Sequence, residues 1–188
     1  MYKKILLLIV LAFGVFGMSM NTKSYAMPNV ENAFTNVSFV SENNDNLRLS
    51  KFRGKIIVLF FGYANCPDIC PTTLLDISKA IMELGKDADR VQPIFISVDY
   101  KRDTAKSLAQ YTSYFGRSIL GITSDKKNID KITKFFKTSY ALLDHESKDY
   151  LVEHSSNIYI IDKNLIVKRI ISNGLPYSEI TKAIRTQF

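Results

Sequence analysis

Residues 55–85 read KIIVLFFGYANCPDICPTTLLDISKAIMELG. From Lys55 to Ala64 the run is almost wholly β-branched and aromatic, the pattern of a strand buried on both faces rather than one. Pro71 then opens a helix that extends to about Gly85, with Leu74, Leu75, Ile77, Ser78, Ile81 and Met82 supplying its stripe. Two cysteines stand where the strand meets the helix. The rest of the chain is organised around this strand-loop-helix unit.

Downstream, Pro93 to Asp99 reads as a second buried strand, and Thr104 to Phe115 as a helix with Leu108, Tyr111 and Phe115 facing inward. Another helix covers about Lys126 to Phe136. The last third changes period: Asn157 to Asp162 and Leu165 to Ile171 are strands joined by a polar turn at Lys163 and Asn164, hence an antiparallel hairpin. After Gly174 and Pro176, a helix from Tyr177 to about Thr186 closes the chain. Upstream lie a strand at Val37 to Val40 and the polar turn SENND. Parallel β-α-β first and an antiparallel hairpin plus helix last is the order of an α/β, thioredoxin-like fold, with a central mixed β-sheet flanked by helices. A single domain over 34–188 is expected, preceded by a polar tether at 27–33 and extending in composition to Asn36.

Residues 1–26 have a targeting pattern. Lys3 and Lys4 precede an uncharged stretch from Ile5 to Thr22 with the apolar heart ILLLIVLAFGVFG, and Ser24 and Ala26 are small residues suited to a signal-peptidase site. Cleavage after Ala26 and retention as a tilted membrane anchor both remain open. Either one places the folded domain outside the cytoplasm and leaves its N-terminus near a membrane. The chain of 188 residues carries a formal charge of +7. Lys3, Lys4 and Lys23 account for three of those charges, leaving 22 basic against 18 acidic residues, or +4, beyond the leader. No basic run exceeds two residues, so nucleic-acid binding is not expected.

The only cysteines in the chain are Cys66 and Cys70, in Cys66-Pro67-Asp68-Ile69-Cys70. A loop this short removes little unfolded-state entropy when bridged, which points to chemistry rather than stapling. Cys70 lies at the helix N-terminus, where the dipole favours thiolate. With three residues between them, a separation of four positions, the sulfurs can form a disulfide or converge on one ion. Two thiolates with an imidazole suit copper, particularly Cu(I); zinc would need a fourth ligand. The extra residue relative to Cys-X-X-Cys disfavours simple thioredoxin-type reduction, although Cys66 and Cys70 remain redox-active candidates.

Two histidines are available. His145 lies in a charged stretch, DHESKD, and reads as solvated, whereas His154 lies in Val152-Glu153-His154-Ser155, just before the hairpin strand. In a thioredoxin-like domain that segment approaches the cysteine loop, which makes His154 the candidate third ligand. Glu153 or a backbone carbonyl is available to orient its other nitrogen. Asp99 ends a central strand on the carboxyl edge, where sites gather, so it is either a supporting residue of the site or a capping or solvated aspartate. Asp68 reads as turn-stabilising. Tyr63 and Phe61 read as core.

The stretch Phe61 to Pro71, FGYANCPDICP, resembles the Sco/SenC signature G-Y-T-x-C-P-D-x-C-P. Ser97 to Thr104, SVDYKRDT, is similar to the family's S-V-D-P-x-R-D-T, and Val152 to Ser155 with Ile158 to Asp162 is similar to its V-D-H-S segment and strand. The departures are Tyr100 for proline and Ala64 for threonine. The resemblance implies copper, as Cu(I) or Cu(II), bound by Cys66, Cys70 and His154, and a part in assembling the dinuclear copper centre of cytochrome c oxidase. The expected partner is the oxidase's copper-bearing subunit, with other copper chaperones or thiol reductants as further partners. A metallochaperone that need not turn over substrate is the leading reading. The alternative is a thiol:disulfide oxidoreductase that reduces the oxidase's copper-ligand cysteines.

Overall fold

The computed structural model describes residues 28–116, 118–144 and 149–188. Its centre is β3 (Ile56–Gly62), every residue of which is buried. A strand buried on both faces needs neighbours on both edges. β3 finds a parallel partner in β4 (Val91–Ser97), in register from Ile56 opposite Val91 to Gly62 opposite Ser97, and an antiparallel partner in β8 (Ile158–Ile161). β5 (Leu120–Ile122) adds parallel to β4, and β9 (Val167–Ile171) adds antiparallel to β8, for a five-stranded mixed sheet in the order β5-β4-β3-β8-β9. This is the mixed, thioredoxin-like architecture expected above.

Side chains alternate across the sheet, so Phe60 and Phe61 face opposite layers. Phe61 stacks edge-on against Phe136 of α4 (Lys126–Phe136) and against Tyr159, and Phe136 in turn meets Phe34 of α1 (Glu31–Asn36). On the other side Phe60 meets Phe95, which meets Tyr111 of α3 (Ala105–Ser113). The helix after β3, α2 (Ile69–Glu83), is tied to the C-terminal α5 (Tyr177–Arg185) by Thr181 Oγ1–H donating to Glu83 Oε2 at 3.0 Å.

The stripe of α2 is narrower than read from the sequence. Leu74, Ile77 and Ile81 are buried together with Thr73 and Ala80, but Leu75 is 46% and Met82 69% exposed. At 100° per residue, Leu75 and Met82 fall beside the buried arc rather than on it.

The segment read as a tether departs more. Val30 N–H donates to the Leu165 carbonyl at 2.8 Å, and Val167 N–H donates to the Pro28 carbonyl at 3.1 Å. Val30, Phe34 and Val37, at helical spacing, are buried. Three apolar anchors suffice to dock the segment, although Asn29, Glu31 and Asn32 make its composition polar. Two short ladders were also not foreseen: the second strand of the pair β1 (Phe39–Ser41) and β2 (Asn44–Leu47), and the hairpin β6 (Tyr140–Leu143) with β7 (Leu151–His154). Among the described residues no helix is long and apolar enough to cross a membrane. The leader at 1–26 and His145 lie outside the described residues.

Candidate metal centre

The exit from β3 puts Cys66 on the loop, and Cys70 falls in the first turn of α2, which begins at Ile69, two residues before Pro71. Asp68 takes the N-cap position without a side-chain capping bond; its carbonyl accepts from Thr72 Oγ1 at 3.0 Å. The Cys70 backbone N–H points at Cys66 Sγ, 3.5 Å away. Cys70 is fully buried and Cys66 half-buried, and both are free thiols. Gly62 makes this seat possible. A Cβ there would stand 2.6 Å from Cys70 Sγ and 2.7 Å from Phe95 Cε2.

His154 closes the group from the end of β7. Its Nε2 lies 3.3 Å from Cys70 Sγ, and the ligand atoms of Cys66, Cys70 and His154 all fall within 4.8 Å of one another. Nδ1 is 3.0 Å from the Ser155 carbonyl. That oxygen can only accept, so in the neutral ring Nδ1 carries the proton and Nε2 turns its lone pair toward the sulfurs. The orienting group is therefore a backbone carbonyl rather than Glu153. The ring stands edge-on to Tyr63 at 5.8 Å and to Phe60 at 6.2 Å. Tyr63 and Phe61 are both buried, as expected of core residues.

The thiols are unequal. A hydrogen bond from Cys70 lowers the Cys66 thiol to about 4, against the burial that would raise it, with backbone N–H groups of the turn adding to the stabilisation. The same bond, together with burial, pushes Cys70 well above the ordinary thiol range. The expectation that the helix dipole makes Cys70 the thiolate is thus reversed, because the hydrogen bond to Cys66 and then complete burial outweigh the dipole. In the reduced protein, Cys66 should react with iodoacetamide at pH 6 nearly as fast as at pH 8. The rate should fall only as the pH drops through about 4, where its thiolate is lost, while Cys70 stays unmodified. A midpoint near the ordinary thiol value of about 8.5, read by mass spectrometry across pH, would show that the bond is absent.

Asp99 is neither solvated nor a mere cap. It is fully buried two residues past the end of β4, paired with Arg102 Nε at 2.5 Å. Of the residues that surround it, Arg102 carried no sequence signal beyond the SVDYKRDT match and Tyr150 carried none.

As chemistry, two sulfurs and one imidazole converging at a partly buried position suit a soft cation in low coordination. The profile of the SCO1/SenC family matches residues 25–188. The chain belongs to that family. An SCO2-like protein of Rickettsia prowazekii is 35% identical over 127 residues, 66% of this chain and 62% of that protein. The mitochondrial SCO2 homolog of Bos taurus is 32% identical over 137 residues, 71% of this chain and 52% of that protein. The chain thus spans less than two thirds of the length of these SCO relatives. Among solved structures, Bradyrhizobium japonicum ScoI with copper bound superposes with a TM-score of 0.74 at 30% identity, covering 81% of this chain and 97% of that one.

Proposed function

We propose that this SCO1/SenC protein is a copper-binding metallochaperone that assists assembly of the dinuclear copper centre of cytochrome c oxidase, with Cys66, Cys70 and His154 as ligands. The observation that carries the reading is the convergence of Cys66 Sγ, Cys70 Sγ and His154 Nε2 within 4.8 Å. The copper-bound ScoI of similar fold supports it. Copper is cargo here, bound to be handed on, and no substrate is turned over. Cys66 is half-buried, which leaves a sulfur within reach of an acceptor's thiols. The acceptor is the oxidase's copper-bearing subunit. Residues 1–26 are the export signal or anchor that keeps the domain beside the membrane, on its periplasmic or intermembrane-space face.

A second reading, a thiol:disulfide oxidoreductase, is favoured by the depressed pKa of Cys66. Its thiolate would attack one sulfur of a partner disulfide, releasing the other as thiolate and forming a mixed disulfide. Cys70 would pass its proton to the released thiolate and attack Cys66 Sγ. The partner leaves with two electrons and the pair is oxidised.

Anaerobic copper loading of the purified, reduced protein tests the first reading. We expect one copper per chain and an X-ray absorption spectrum with two sulfur and one imidazole nitrogen ligands. Binding without sulfur ligation, or no binding at all, would overturn it.

A further inference from the structure

His154 sits on a hairpin that shares no strand pairing with the five-stranded sheet. Sheet register therefore sets the place of the cysteine loop, which leaves β3 directly, but not that of the imidazole. Only Ser155, Ser156 and Asn157 connect β7 to β8. That short link tethers the hairpin to the sheet, and side chains align it with the loop.

The turn after β4 supplies them. Asp99 is fully buried, so its charge must be paired. Arg102 pairs with it through Nε, Tyr150 donates its hydroxyl to the same carboxylate at 2.5 Å, and Arg102 Nη1 donates to the Tyr150 carbonyl at 2.8 Å. The guanidinium also lies 3.5 Å from the centre of the Tyr150 ring and 5.9 Å from that of Tyr63, whose edge meets His154. Tyr150 directly precedes β7. Four residues further on, the chain reaches His154.

The same turn holds the other half of the site. Asp103 Oδ2 accepts from the Ala64 backbone N–H at 2.9 Å, two residues before Cys66, and from Ser97 Oγ–H at 2.5 Å. The turn is closed on itself by Asp103 N–H donating to the Asp99 carbonyl at 3.0 Å. From this geometry we infer that Asp99, Arg102 and Asp103, with Tyr150, form a brace that sets the distance between the thiol pair and His154. They are positioning residues: none contributes a ligand atom. Asp103 locks the cysteine loop, while Asp99 and Arg102 lock the hairpin. Groups that orient metal ligands in this way typically change affinity by about 10–100-fold when removed.

The inference rests on the copper reading for its consequence but not for its geometry, and the test separates the two. Tyr150→Phe removes one hydroxyl and keeps the ring; Arg102→Gln removes the charge and the stacking. In metal-free, reduced, full-length protein, proton NMR contacts of the His154 ring with Tyr63 and Phe60 should weaken in both variants, while the amide signals of β3, β4 and β8 stay in place. Copper affinity should fall about 10–100-fold. The nitrogen contribution to the copper absorption spectrum should diminish. Exchange of the dithiol with a small disulfide should continue at the wild-type rate, because Asp103 still holds the cysteine loop. Unchanged ring contacts and affinity within twofold of wild type would overturn the brace. If Arg102→Gln does not fold, Tyr150→Phe decides alone. Failure of the wild type to bind copper would overturn the proposed function, and the ring contacts in metal-free protein would still decide the brace.

Discussion

Replacing His154 with alanine is expected to lower copper affinity more than about a hundredfold, since on the proposed function it removes a ligand where even the groups that orient ligands are worth about 10–100-fold. The fold should survive. The ring is half-buried, packing edge-on against Tyr63 and Phe60 without filling the core, so its loss should cost about 1–2 kcal/mol of stability. Cys66 and Cys70 keep their mutual hydrogen bond, so the variant should still exchange with small disulfides. The two functional readings then part company. If copper handover is the task, oxidase assembly in cells carrying only the variant should fail while dithiol exchange persists. If assembly proceeds normally on a protein that no longer holds copper, delivery is not the essential activity and the oxidoreductase reading should replace it.

Gly62→Ala should damage both the site and the fold. The new methyl would overlap Cys70 Sγ at 2.6 Å and Phe95 Cε2 at 2.7 Å, and neither can retreat easily. Cys70 is anchored in the first turn of α2, and Phe95 is fully buried between Phe60 and Tyr111. Overpacking of this kind costs about 1–3 kcal/mol, occasionally more. For a chain of this size that corresponds to roughly 2–4 °C of Tm per kcal/mol. Displacement of Cys70 Sγ should also abolish tight copper binding, because the sulfur is pushed away from the point on which Cys66 and His154 converge. Gly121→Ala is the control. A Cβ there meets the Leu108 carbonyl at 2.8 Å, a comparable clash between α3 and β5 that involves none of Cys66, Cys70 and His154. It should lower Tm by a similar amount and leave copper affinity intact. Equal copper affinities in the two variants, measured by competition with a Cu(I) chelator, would show that Gly62 is not what seats the sulfur.

The Gly62 contact illustrates a limit on sequence reading. Glycine at the end of a buried strand is visible in the sequence. That its missing side chain makes room for a sulfur eight residues later follows only from the angle at which α2 leaves the loop. The unequal acidities of the two thiols belong to the same class: the sequence placed Cys70 at a helix N-terminus, but the hydrogen bond to Cys66 and the complete burial that keep the proton on it depend on the loop's curl and the layers packed around it.

By itself the sequence determined the framework: the apolar run at 55–64 required a strand buried on both faces, the change of period after residue 157 required an antiparallel hairpin, and the spacing of Cys66 and Cys70 required a short loop between strand and helix. These features depend on local pattern, because burial on both faces, period and loop length leave their mark on consecutive residues. Tertiary structure alone decided the docking of residues 28–36, the β6–β7 hairpin, the tautomer of His154 and the pairing of Asp99 with Arg102 and Tyr150. Each depends on partners far apart in the chain. Tyr150 and Asp99, for example, are 51 residues apart and meet through a single hydroxyl. A contact of that kind imposes no periodicity on its neighbours, so it becomes legible only once the chain has folded.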